Sequence, residues 1–194
     1  MKAKKYVKIL LFLFLIASAI QVDCQVKFEQ RTLVGNGAEW WWARSHADVN
    51  NDGLLDFFVI NNNARGGWLG WFETTPKLEG TIKHIIAEKG PNGGTFGAGD
   101  LASADIDNDG DIDVLGPESP GEWGGADKPT NLYWYENPSW KPHFIGTYPS
   151  LIKDFDLADF DNDGKVDLAG TSHHLNKVVV FKQNSIDSWE ITAN

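Results

Sequence analysis

The chain has 194 residues, of which 17 are Lys or Arg and 27 are Asp or Glu, giving a formal charge of −10. That acidity argues against a nucleic-acid partner, because neutralising phosphates takes cations, and equally against a polybasic membrane-surface protein. A hydrophobic content of 42% with 9 Trp and 11 Phe excludes a disordered acidic tail, and the length suits one domain of ordinary size.

Residues 1–24 read as a leader. Lys2, Lys4, Lys5 and Lys8 precede an apolar run from Ile9 to Ile20 that contains the small residues Ala17, Ser18 and Ala19, the pattern of a secretory signal peptide. The run is shorter than the ~20 residues a spanning helix needs, so no stable transmembrane anchor is expected. Cleavage after Ala19 and after Cys24 both fit. The second is favoured, and lipid attachment at Cys24 is the minor alternative because Asp23 is a poor residue to precede it. The expected location is secreted, periplasmic or cell-surface. Cys24 is the sole cysteine, so no intrachain disulfide can form, and stability outside the cell must come from packing or bound metal.

Residues 25–194 repeat. Gln25–Gly35 reads as one strand standing before the first full unit, and three units follow, at roughly 36–91, 92–147 and 148–194. In each, a first strand leads into an acidic segment: Asp48-Val-Asn-Asn-Asp-Gly-Leu-Leu-Asp56, Asp105-Ile-Asp-Asn-Asp-Gly-Asp-Ile-Asp113 and Asp159-Phe-Asp-Asn-Asp-Gly-Lys-Val-Asp167, starting 57 and 54 residues apart. An Ala precedes each (Ala47, Ala104, Ala158). Next comes an aromatic run, Leu69-Gly-Trp-Phe-Glu73, Leu132-Tyr-Trp-Tyr-Glu136 and, more loosely, Val178-Val-Val-Phe-Lys182. A third run closes each unit: Ile82-Lys-His-Ile-Ile86, Lys141-Pro-His-Phe-Ile145 and Trp189-Glu-Ile191. Short aromatic and β-branched runs between Gly, Asn and Pro are strand signals, and no helical period persists after the leader. The count is about four strands per unit, and a period of this length with four strands describes the blade of a β-propeller. Gly90–Gly99 and Gly116–Pro129 are expected to be exposed loops.

The acidic spacing has a coordination logic. Calcium takes 6–8 hard oxygens, and alternate residues of a tight loop aim at one centre, with a backbone carbonyl at position seven. Position seven is Leu54, Asp111 and Lys165, a variability that a carbonyl donor tolerates. Glycine at position six (Gly53, Gly110, Gly164) suits the turn. An EF-hand is excluded, because its position-twelve Glu is replaced by Val59, Gly116 and Gly170. Asp56, Asp113 and Asp167 at position nine must close the shell instead. The expected role of the metal is architectural: it relieves the repulsion among carboxylates packed together. The first loop, where Asn50 replaces an acid, is expected to bind most weakly.

These loops, with the Trp-Phe-Glu and Tyr-Glu-Asn-Pro strands between them, resemble the FG-GAP/VCBS repeat family of integrin α-subunit propellers and many secreted bacterial proteins. The resemblance spans nearly all of 25–194, although the family's name-giving elements are only faint, at Phe96-Gly-Ala-Gly99. It implies an all-β fold, a calcium-stiffened β-propeller, with each loop between the first two strands of a blade. It also implies about three calcium ions. Asp48, Asn50, Asp52, Leu54 (carbonyl) and Asp56 would hold one. Asp105, Asp107, Asp109, Asp111 (carbonyl) and Asp113 would hold the second, and Asp159, Asp161, Asp163, Lys165 (carbonyl) and Asp167 the third. Family members commonly have seven blades, so three repeats suggest either a piece of a longer propeller, the favoured reading, or copies that assemble.

Other side chains invite sharper readings. Trp40, Trp41 and Trp42 could form a sugar-stacking platform, although in a strand at least one must pack inward. Trp123 stands with Glu118 and Glu122 on a Gly/Pro loop, a poor setting for the acid pair of a glycosidase but a candidate ligand contact. Trp68, Trp71, Trp134 and Trp140 recur with the strands and are expected in the core, and His84 and His143 are expected to be structural. His173 and His174 have no clear zinc-ligand spacing. No nucleophile elbow, metalloprotease helix or phosphate loop is present, so no enzyme is expected. The sequence points to a secreted, calcium-binding recognition or scaffolding module for a glycan or an extracellular protein. The rival reading is an accessory segment of a secreted polysaccharide-degrading enzyme.

Overall fold

The computed structural model describes residues 29–30, 32, 41–61, 67–96, 100–119, 128–172 and 174–192. The leader, most of the Gln25–Gly35 stretch, Trp40, Glu122, Trp123 and His173 lie outside the described residues. The strands all fall in the unit Thr32–Asn194.

The first sheet contains β1 (Trp41–Ala47), β2 (Asp56–Asn61), β3 (Leu69–Thr74) and β4 (Thr81–Ala87), hydrogen-bonded in chain order and antiparallel throughout. The second repeats it with β5 (Ser103–Ala104), β6 (Asp113–Glu118), β7 (Thr130–Glu136) and β8 (Lys141–Tyr148). The third has β9 (Ile152–Ala158), β10 (Asp167–Ser172), β11 (Lys177–Ser185) and β12 (Ser188–Ile191). A single 3-10 turn at Pro76–Leu78 is the helical content of the described residues. None of their helices is long and apolar enough to cross a membrane. The expected four strands per unit are present, and the protein is all-β.

Register repeats as well as order. The residue after each position-nine Asp pairs with an aromatic residue of the third strand: Phe57 with Phe72, Val114 with Tyr135, Leu168 with Phe181. The next residue pairs with Trp71, Trp134 and Val180 in turn. Successive side chains point to opposite faces of a sheet, so these pairs form two layers. Val114, Tyr133 and Tyr135 join Phe58, Ile60, Leu69 and Trp71 of the first sheet in one core cluster. Leu115, Leu132 and Trp134 join Ile152, Leu168, Val179 and Phe181 of the third in another. The middle sheet is therefore covered on both faces, which is why every residue of β6 is buried. A strand covered on both sides cannot show polar alternation.

Trp71 and Trp134 are core residues as expected, each stacked on a fourth-strand histidine with ring centroids 4.2 Å apart, His84 and His143 respectively. Trp68 is also buried, and Trp140 packs against the first cluster.

Of two stretches expected to be exposed loops, residues 91–93 are exposed, 97–99 and 120–127 lie outside the described residues, and the rest differ in part. Gly90, Gly94 and Phe96 are buried, and Gly116–Glu118 are strand residues of β6 with Ser119 bridged to Thr95. The cause is Glu118, a fully buried carboxylate. It accepts hydrogen bonds from the Asn92 and Gly94 N–H groups (2.9 and 2.8 Å) and from the Asn92 side-chain amide (2.9 Å). A Cβ on Gly90 or Gly94 would fall 2.5 or 2.7 Å from Glu118 atoms. Glycine here serves a close approach to a carboxylate rather than an open loop. Glu118 is thus a structural anchor shut away from solvent, not half of an exposed acid pair.

Candidate metal centre

The acidic segments connect the first two strands of each sheet: 48–55 between β1 and β2, 105–112 between β5 and β6, 159–166 between β9 and β10. Their backbones fold identically because the side chains bond the same backbone groups. The position-one carboxylate accepts the N–H groups of positions five and six: Asp48 from Asp52 and Gly53, Asp105 from Asp109 and Gly110, Asp159 from Asp163 and Gly164, all at 2.8–3.0 Å. Position three bonds the same N–H of position five at 3.2 Å (Asn50, Asp107, Asp161). Position five bonds the N–H of position seven at 2.8–3.0 Å. Short side chains that bond nearby backbone are how Asx-rich turns hold their shape. Position four takes positive φ in Asn51, Asn108 and Asn162 (59°, 62°, 60°), and position six in Gly53, Gly110 and Gly164 (86°, 101°, 86°). The Asn residues accept the left-handed region by local bonding, whereas the wider angle at position six favours Gly.

Position nine has a second task. Asp56, Asp113 and Asp167 are buried, and one oxygen of each accepts the N–H of loop residue two (Val49, Ile106, Phe160) at 3.1, 2.9 and 3.2 Å. The other accepts an N–H on the third strand or just beyond it, from Thr74, Asn137 or Gln183, at 2.8–2.9 Å. Each carboxylate thus pins its loop to the third strand of its own sheet. The residues so pinned then reach across sheets: the Asn137 amide donates to the Val49 carbonyl (2.9 Å) and the Gln183 amide to the Ile106 carbonyl (3.3 Å). The loops also touch directly. The Asn51 amide bonds Asp111 at 3.0 Å, and that of Asn108 reaches the Gly164 carbonyl at 3.5 Å. Sequence spacing gave no sign of this chain of contacts, since it joins residues 56 to 88 apart.

Among the described residues, two acidic groups could hold a metal ion. One oxygen each from Asp105, Asp107 and Asp109, and from Asp159, Asp161 and Asp167, lie within 4.8 Å of one another. Oxygens about 2.4 Å from a shared ion can be at most about 4.8 Å apart, so the spread fits a calcium-sized ion and the all-oxygen donor set matches its chemistry. The first loop supplies an amide at Asn50 instead, bonded to Asp52 at 3.3 Å.

The electrostatics carry the strain of gathered acids. Burial pushes the Asp113 carboxyl from its ordinary 3.8 up to about 7, against the backbone hydrogen bonds that favour its charge. Asp56 and Asp107 are raised for the same leading reason, with neighbouring carboxylates adding to it. A carboxyl whose folded pKa exceeds its unfolded one favours the fold fully below the unfolded value, and that contribution is lost as pH rises through the folded value. In chelator the protein is therefore expected to lose up to about 4 kcal/mol between pH 4 and pH 8 from this source, read as a melting temperature up to about 8–16 °C lower at pH 8. Saturating calcium should abolish or reverse the trend. A chelated protein equally stable at both pH values would contradict the assignment.

The remaining candidates are dispersed. Trp41 and Trp42 open β1, while Trp40 and Trp123 lie outside the described residues. His174 is exposed on a turn. His84 and His143 bond Glu73 and Glu136, each at 2.8 Å, and His143 also bonds Asp187 of the β11–β12 turn at 3.0 Å, so both are structural. Reading the sequence left two participants unassigned, the anchor Glu118 and the loop neighbour Lys182. The second had a signal, because it occupies the repeat position of Glu73 and Glu136.

Comparison with known families gives a match to the model of the FG-GAP-like repeat over residues 48–116, the span from the first acidic loop through the second to β6. No curated protein and no solved structure matched the chain.

Proposed function

We propose, from the premise that residues 48–116 carry an FG-GAP-like repeat, that this chain is a calcium-stiffened β-propeller segment acting as an extracellular recognition or scaffolding module. The observation that carries the reading is the threefold recurrence of one loop, with the same hydrogen bonds at the same strand junction of each sheet. A lone Asp-rich turn is commonplace; three in register, tied to one another by Asn51 and Asn108, suit a common structural ion. The residues that would hold calcium are those at positions one, three, five and nine of each loop, with the carbonyls of Leu54, Asp111 and Lys165. Bound calcium would neutralise the carboxylates and fix the loop against its sheet.

The partner is a glycan or an extracellular protein met by loop surfaces, with the leader supplying export. The second reading is an accessory role beside a polysaccharide-degrading enzyme, since one fold hosts many functions. Calorimetric titration of calcium into chelator-stripped protein tests the metal: saturable binding at more than one site is expected, and no heat would overturn it. A glycan array and a polysaccharide-turnover assay then separate the two roles, since turnover by the purified chain would favour the enzyme.

A further inference from the structure

The third loop differs from the others in what stands beside it. One repeat position near the end of the aromatic strand is Glu73 in β3, Glu136 in β7 and Lys182 in β11. In the first two sheets a fourth-strand histidine holds that glutamate, His84 on Glu73 and His143 on Glu136. The third sheet has no such histidine: Thr192 bonds Val180 where His84 and His143 pair with Trp71 and Trp134. Lys182 turns to the loop instead. Its Nζ donates to Asp161 Oδ2 and lies 3.2 Å from Asp163 Oδ2, while Lys165 Nζ lies 3.0 Å from that same Asp163 oxygen.

We propose that Lys182 is the resident cation of the third loop: its ammonium group holds Asp161 and Asp163 together without metal and must be displaced before calcium binds there, which makes this loop the weakest calcium site of the three. The proposal rests on the calcium reading above. An ammonium carries three donors and one positive charge, enough to cross-link two carboxylates but not to draw in the further oxygens a divalent ion gathers. Asp161 also belongs to the group of donors within 4.8 Å formed with Asp159 and Asp167, so the lysine competes for a ligand, not merely for a neighbour. Counting carboxylates alone ranks the first loop lowest, with three against four. Including Lys182 and Lys165 leaves the third loop two net negative charges against three in the first, and reverses that order. The ion pairs are partly exposed, so displacement is feasible, at a cost in affinity.

The test uses the full chain and one amide reporter per loop, since Gly53, Gly110 and Gly164 each donate their N–H to a position-one Asp. Nuclear magnetic resonance during a calcium titration should show Gly110 and Gly53 responding first, with a midpoint for Gly164 at least tenfold higher. Lys182→Glu, which installs the residue of the other two sheets, should lower the Gly164 midpoint at least tenfold and leave the other two unchanged. Lys182→Met, which keeps the apolar stem, should move it the same way by less. Equal midpoints in the wild type, with neither variant shifting Gly164, would overturn the proposal while leaving calcium binding intact. No response at any of the three glycines would instead remove the calcium reading beneath it.

Discussion

Chelator-stripped protein is expected to melt about 10–20 °C below the same protein in millimolar calcium. A ligand present at a hundred times its dissociation constant stabilises the fold by about 2.7 kcal/mol per site, so two well-filled loops contribute about 5 kcal/mol. For a domain of this size each kcal/mol corresponds to about 2–4 °C. The direction follows from the architecture. Burial raises the pKa of Asp56, Asp107 and Asp113, so keeping these carboxylates charged costs the metal-free fold stability. A divalent ion removes that penalty, and the unfolded chain offers no preformed loop to compete for it. Scanning calorimetry in chelator and in calcium decides the matter, and coincident melting curves would refute an architectural ion.

Asp113→Ala is expected to be the most damaging single change in the metal loops, costing about 4 kcal/mol in calcium. The substitution leaves the N–H groups of Ile106 and Asn137 without their acceptor in a buried setting, at about 1–3 kcal/mol each, and removes a ligand from the second loop. Asp113→Asn separates the two contributions. It keeps one acceptor oxygen for the two N–H groups of Ile106 and Asn137 and sets an NH2 donor against the other, a cost offset by the absence of a buried charge, so in chelator it should unfold close to the wild type, while in calcium it should lack the second loop's share of the stabilisation. Denaturant unfolding of both variants, with and without calcium, provides the comparison. An Asp113→Ala protein within 1 kcal/mol of the wild type in calcium would show that the carboxylate anchors nothing.

Much of this was legible from one sequence because the chain states its plan three times. Three in-phase acidic segments gave the strand junctions, and the recurring Trp71 and Trp134 gave the core-facing layer. What stayed hidden depends on partners distant in the chain. Gly116-Pro-Glu118 reads as a loop by composition, yet it is central strand. The Tyr135 ring lies 2.6 Å from where a Gly116 Cβ would be, and Glu118 satisfies amides 24 and 26 residues away. Local propensity carries no record of such neighbours. Lys182 was aligned with Glu73 and Glu136, but only the folded β11 shows that this position overlooks the acidic loop.

The covered faces of the second sheet set the order in which the fold can come apart. In an array where each unit touches only its neighbours, stability is a sum over units and the junctions between them. Fraying the first or third sheet sacrifices a single junction, whereas melting the second dissolves both and leaves its neighbours stranded. Among the three described sheets the second makes both junctions, so β6 and β7 should be the best protected of their strands in amide exchange.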